Sequence, residues 1–253
     1  GERPMTIVIK IGGHEIDDAA YLAKFAQVIH DLNAPTVIVH GGGKEISTLQ
    51  QRLSIEPRFI DGVRITDAES LALVEMTLCG TVNKRLVRTL VNVGVNAVGL
   101  SGVDGGMISA APMHHESVDM GFTGEVTAIR VDLLLNLLDL GITPVVAPIC
   151  LGVDNNFNVN GDHVAGAVAA AVEAERLVFL SNVAGVLVDN ALVGTLTPEQ
   201  AEGLIADGTI FGGMVPKVRT ALGALDAGVA QAVITNLDGL RTSGGTVFTK
   251  ESI

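Results

Sequence analysis

The chain has 253 residues, 48% hydrophobic and 17% charged, which is enough apolar material for one substantial core and too much for a disordered or charge-dominated scaffold. A formal net charge of -12 argues against a nucleic-acid partner, which needs a basic face to displace counterions. An anionic ligand stays compatible, provided that a few of the 16 lysines and arginines are gathered locally. Cys79 and Cys150 stand far apart beside apolar neighbours and read as reduced thiols. No basic segment followed by a long apolar run opens the chain. No apolar stretch nears the ~20 residues of a membrane span, so a cytoplasmic protein without a membrane partner is expected.

In chain order, residues 5–11 read as a strand, 19–32 as an amphipathic helix and 36–40 as a second strand. Alternation around residues 58–65 suggests a hairpin, and 68–93 carries a long amphipathic pattern. A strand is expected at 97–100, a second hairpin around 121–130, a helix at 132–138 and a strand at 144–148. Helix 163–174, strand 177–180, helix 217–227 and strand 232–235 follow, with a closing strand in 244–248. Several strands are apolar without alternation, as in a parallel sheet covered on both faces. The expected fold is therefore α/β, a three-layer αβα sandwich with a mainly parallel central sheet. No Pro/Ser-rich linker or repeat divides the chain, so a single domain over 1–253 with two lobes is expected.

Four glycine-bearing segments carry the chemistry. Lys10-Ile11-Gly12-Gly13 ends the first strand, where open α/β sheets bind ligands and where bare backbone N–H groups can meet an oxyanion. His40-Gly41-Gly42-Gly43 again lies between a strand and a helix, a natural anion site; His40 itself reads as a packing or hydrogen-bonding residue rather than a base. In Asn158-Val159-Asn160-Gly161-Asp162, Asp162 is either the N-cap of the next helix or a carboxylate that orients lysines. Asn158 and Asn160, two apart, would face the same way in an extended segment. Gly212-Gly213-Met214-Val215-Pro216-Lys217 brings a lysine into a helix's first turn, against the macrodipole, either as a plain surface residue or as a phosphate-facing cation. Walker A and GxGxxG patterns are both absent.

Taken in this order, the four segments resemble the amino acid kinase family, and within it the members that act on N-acetyl-L-glutamate. The resemblance runs from Ile7 to about Ala227. It also includes Phe59-Ile60-Asp61-Gly62-Val63-Arg64-Ile65-Thr66, Gly80-Thr81-Val82-Asn83-Lys84, Ala97-Val98-Gly99-Leu100-Ser101-Gly102 and Leu180-Ser181-Asn182-Val183-Ala184-Gly185-Val186. It implies phosphoryl transfer from ATP to the side-chain carboxylate of N-acetyl-L-glutamate, in arginine biosynthesis, with Mg²⁺ carried on ATP. Lys10 and Lys217 would flank the transferring group and Asp162 would hold both lysines. Gly42, Gly43, Arg64, Asn158 and Asn160 would bind the acceptor. Gly12, Gly13, Asn182, Val183, Ala184, Gly185, Val186, Leu187, Thr209, Ile210, Phe211, Gly213 and Met214 would serve the nucleotide, in a C-terminal lobe from about residue 175. Two other readings share these residues: a kinase for aminoadipate or glutamate linked to a carrier protein, toward which Asn182 leans, and a sensor without turnover. The resemblance further implies a homodimer. Because arginine-inhibited relatives have an extra N-terminal helix and strand 5–11 starts almost at once here, insensitivity to arginine is expected.

Overall fold

The computed structural model describes residues 5–12, 16–60 and 62–251. β1 (Ile7–Ile11) is buried except at Lys10, and α1 (Ala19–Leu32) follows. The Asp18 carboxylate caps α1 by accepting from the N–H groups of Ala20 and Tyr21, and Asn33 ends it in the left-handed conformation. Next come β2 (Thr36–His40), buried throughout, α2 (Gly43–Arg52) and the hairpin β3 (Phe59–Ile60)–β4 (Val63–Arg64). α3 (Ala68–Glu75) passes through a π-helical segment, Met76–Val82, straight into α4 (Asn83–Asn92). β5 (Ala97–Ser101), β6 (Ile108–Pro112), β7 (Thr123–Ile129) and α5 (Val131–Asp139) lead to β8 (Thr143–Ala147), β9 (Ile149–Leu151) and β10 (Asn156–Val159).

The remainder of the chain resumes the strand–helix rhythm. α6 (Gly161–Ala171) and β11 (Arg176–Leu180) precede the small hairpin β12 (Leu187–Val188)–β13 (Ala191–Leu192) and β14 (Thr195–Leu196). α7 (Pro198–Ala206) and α8 (Met214–Asp226) are followed by β15 (Ala232–Thr235), α9 (Leu237–Thr242) and β16 (Thr246–Phe248).

Eight strands form the central sheet in the order β14-β16-β15-β11-β1-β2-β8-β5. From β15 to β5 all neighbours are parallel, while β16 runs antiparallel to β15. Strand parity explains the layers. Val8, Val37, Val39 and Phe179 face a core shared with α6 and α8, whereas Ile7, Ile9, Ile11 and Ile38 face one shared with α1 and α4. Lys10 has the parity of Val8 and is thereby aimed at the α6 side. Register pairs Lys10 with Phe179 and Ile11 with His40, so the carboxyl ends of β1, β2 and β11 lie side by side.

Three local expectations need correcting. The alternating segment near 121–130 is a single strand rather than a whole hairpin: β7 pairs antiparallel with the preceding β6 and parallel with β10, in a closed four-stranded unit, β10-β7-β6-β9. The pattern over 68–93 is one run of helix, but seven of its residues are π-helical. α7 adds a helix to the expected elements, and its start signal is complete: Thr197 and Gln200 form a capping box around Pro198. Both cysteines are free thiols, and burial pushes Cys79 up to about 11 and Cys150 up to about 12.

Candidate active site

Lys10 reaches across from β1 to the first turn of α6, where its Nζ lies 2.7 Å from Asp162 Oδ1, with 20% and 28% of the two side chains exposed. Asp162 is not the helix cap. Asn160 takes that place, its Oδ1 accepting the Asp162 N–H at 2.7 Å, and the Asp162 carboxylate is thereby released to meet a lysine. An acid in the first turn also suits the macrodipole.

At Gly12 and Gly42 a side chain would crowd its neighbours, whereas Gly43 has open space. A Cβ on Gly12 would sit 2.9 Å from Lys10 Nζ, and one on Gly42 would sit 2.6 Å from Leu78 Cδ2 and 3.2 Å from Val82 Cγ2. The Gly41 N–H donates to the Ile11 carbonyl at 2.9 Å, binding the second glycine loop to the end of β1. Gly13 lies outside the described residues.

Two cavities meet at the Lys10–Asp162 pair, and both side chains line each of them. One, of about 230 Å³, is bounded by Gly41, Gly42, Gly43, Phe59, Arg64, Leu78, Asn158 and Asn160. The other, of about 380 Å³, is bounded by Gly12, Phe179, Leu180, Ser181, Asn182, Lys217, Thr220 and Ile234. A larger cleft of about 600 Å³ opens at the amino edge of the sheet near His30 and Asn96, but among the described residues no lysine or arginine lines it.

In the smaller cavity Arg64 is 7% exposed and lies 4.6 Å above the Phe59 ring. Its guanidinium donates to Gln50 Oε1, to the Gly43 carbonyl at 3.0 Å and to Ser47 Oγ at 2.8 Å, leaving two of its five N–H groups for a ligand. Burial lowers the Arg64 pKa, but a guanidinium remains charged at any working pH. Asn158 donates to Thr66 Oγ1 at 3.0 Å, which fixes its amide at the cavity wall.

In the larger cavity Lys217, in the first turn of α8, donates to Ser181 Oγ. Ser181 is buried, and its own hydroxyl donates to Asn182 Oδ1 at 3.4 Å. Of the expected nucleotide residues, Gly12 and Asn182 line this cavity. Val183, Ala184, Gly185, Val186 and Leu187 form the turn beyond it, where the Val186 N–H donates to Thr246 Oγ1 at 2.8 Å. Thr209, Ile210, Phe211, Gly213 and Met214 are also away from its wall: Ile210 is core and Phe211 is 75% exposed. Ser181 and Thr220 were not singled out from the sequence. For Thr220 a signal existed, since it follows Lys217 by three residues and so shares its helix face.

The match to the amino acid kinase family model spans residues 5–236. An acetylglutamate kinase of Roseiflexus sp. (strain RS-1) is 51% identical over 249 residues, covering 98% of this chain and 95% of the relative. Among solved structures, the N-acetylglutamate synthase of Neisseria gonorrhoeae, complexed with coenzyme A and N-acetyl-glutamate, superposes with a TM-score of 0.85 at 26% identity, over 98% of this chain but 60% of that one. Carbamate kinase of Giardia lamblia bound to AMP-PNP shares the fold, with a TM-score of 0.69 at 18% identity over 98% of this chain and 99% of that one. By the reach of the family match and the identity to full-length relatives, this chain belongs to the amino acid kinase family.

Proposed function

We propose that this chain transfers the γ-phosphoryl group of ATP to the side-chain carboxylate of N-acetyl-L-glutamate, the kinase step of arginine biosynthesis. The observation that carries the reading is the pair of cavities sharing Lys10 and Asp162, one walled by glycines and Arg64, the other by Ser181, Asn182 and Lys217. The acceptor occupies the first cavity and ATP the second, so that transfer takes place at the shared wall. The likeness to curated acetylglutamate kinases supports this choice of acceptor over a carrier-linked one.

In the reaction an oxygen of the acceptor carboxylate attacks the γ-phosphorus and the bond to the ADP oxygen breaks, giving ADP and an acyl phosphate. The attacking group is already ionised near neutral pH, so the site needs no general base. Lys10 and Lys217 offset charge on the transferring group, and Asp162 keeps Lys10 in place. N–H groups of Gly12, Gly42 and Gly43 face oxygens of the phosphoryl group and acceptor, while Arg64 and Asn158 hold the α-carboxylate region. Among the described residues no group of three or more His, Cys, Asp or Glu side chains could hold a metal, and Asp162 is committed to Lys10. That donor set fits Mg²⁺ arriving on ATP, where it neutralises phosphate charge.

The whole chain works as one domain: the acceptor cavity draws on residues up to Asp162, and the nucleotide cavity adds residues from 179 onward. β5 is an edge strand with four of five residues only half-buried, which suits the homodimer we propose. No helix of the described residues is long and apolar enough to cross a membrane, in keeping with the cytoplasmic location we propose.

The test is ATP-dependent acyl phosphate formation, trapped with hydroxylamine, with N-acetyl-L-glutamate compared against glutamate, aspartate and N-acetylaspartate. A hydroxamate specific to acetylglutamate is expected; ATP binding with no product from any free amino acid would overturn the reading in favour of a carrier-linked substrate or a sensor. Arg64→Lys should raise the KM for acetylglutamate roughly 10- to 100-fold with a smaller change in kcat, since lysine offers a point charge where the guanidinium offers a fork. An unchanged KM would remove Arg64 from acceptor binding.

A further inference from the structure

His40 ends β2 and is completely buried, one residue before the glycines that line the acceptor cavity. Its Nδ1 lies 2.9 Å from the Gly41 carbonyl oxygen and its Nε2 lies 3.1 Å from Asn83 Nδ2. Asn83 is itself 1% exposed, and its Nδ2 also reaches the carbonyls of Val145 at 2.8 Å and Leu100 at 3.3 Å. Its Oδ1 accepts from Lys84 Nζ at 3.0 Å. Backbone carbonyls can only accept, so the amide nitrogen must face them and His40 Nε2 must be an acceptor. The proton therefore sits on Nδ1 and is donated to the Gly41 carbonyl.

The Gly41 carbonyl and the Gly42 N–H belong to one planar peptide unit and point in opposite directions. Anchoring the carbonyl on His40 therefore fixes where the Gly42 N–H points. The π-helical segment ends immediately before Asn83 and also presents Leu78 and Val82 to Gly42. On β5, a Cβ at Gly99 would lie 1.9 Å from Asn83 Oδ1, so this glycine makes room for the amide. The segments around His40, Asn83 and Gly99 are thus three parts of one assembly.

We propose that His40 and Asn83 are positioning residues that hold the Gly41–Gly43 loop in the geometry required for phosphoryl transfer. This rests on the kinase reading above.

The test compares His40→Asn with His40→Gln. An asparagine amide nitrogen occupies about the place of Nδ1 and keeps the donor to Gly41; a glutamine amide occupies about that of Nε2 and does not. His40→Gln should lose roughly 10- to 100-fold in kcat, as small misplacements in a transfer site do, with the KM for ATP unchanged. His40→Asn should recover most of that loss at a similar thermal stability. Gly99→Ala, remote from the loop, should displace Asn83 and lower kcat roughly tenfold, again without changing the KM for ATP. Equal kcat in the two His40 variants, or losses that simply track unfolding temperature, would overturn the positioning pair alone. A wild-type chain that yields no hydroxamate would overturn the pair together with the kinase reading.

Discussion

Replacing Lys10 or Lys217 by alanine should lower kcat roughly 100- to 1000-fold while the KM values move far less, because in the proposed reaction each supplies a fixed charge to the transition state rather than to the ground state. Lys10 is preorganised: β1 is buried on both faces, strand parity aims residue 10 at α6, and Asp162 holds its ammonium. Lys217 is held by Ser181 at the facing wall. Neither lysine is a core residue, so the folded state should lose about 1 kcal/mol or less for a partly exposed pair. Activity and stability can therefore be separated. Steady-state kinetics on each variant, with unfolding midpoints alongside, make the comparison; near-wild-type turnover in a folded variant removes that lysine from the transfer step.

Short-range signals in this chain are reliable where one element decides its own fate. The bounds of β2 and β15 follow from unbroken β-branched runs, and α1 follows from its apolar spacing and Asp18 cap. The Lys10 and Lys217 segments stand out only in combination, since a glycine-flanked lysine at a strand end or helix start alone suits a plain surface turn equally well. What the sequence hides is set by distant partners. β7 alternates as any half-exposed strand does, and only pairing with β6 and β10 makes it part of a closed unit. The π-helical turn in Met76–Val82 leaves no mark on the apolar periodicity, because tertiary contacts such as Leu78 on Gly42 select it. Asp162 and Asn160 compete for the same cap, and choosing between them depends on Lys10 being across the cleft.

The glycine loops show how fold and site are coupled. Parallel pairing brings three strand ends to one edge, and each of the first two runs into glycine, so that backbone forms part of the wall of both cavities. Backbone N–H groups carry no net charge, so the two cavities take their positive charge from Lys10, Arg64 and Lys217. The same economy makes the loops dependent on buried neighbours for their direction, and the most consequential of those is a histidine.

Acid should destabilise this protein through His40 between about pH 6.5 and 4, above the window in which Asp17 titrates. Burial lowers the His40 pKa from 6.5 to about 4, the charges of Lys84 and Lys10 act the same way, and the hydrogen bond to Gly41 only partly opposes them. The folded state thus binds fewer protons than the unfolded state between these two values. Stability is complete above about pH 6.5 and falls as pH drops toward 4, by about 3 kcal/mol over the whole interval. Asp17, lowered to about 2 by its hydrogen bond with Glu45 and by Lys44 and Arg85, loses its contribution only in a lower window, below about 4. Glu45 is raised by burial and by Asp17, so its sign is opposite and it offsets part of the loss. Urea unfolding of wild type and His40→Gln from pH 7.5 to 4.5 isolates the histidine, since every other group is common to both. The variant should be the less stable at pH 7.5, and the gap should close by about 2–3 kcal/mol at pH 4.5. A gap that stays constant across this range would mean that His40 does not remain neutral in the folded protein.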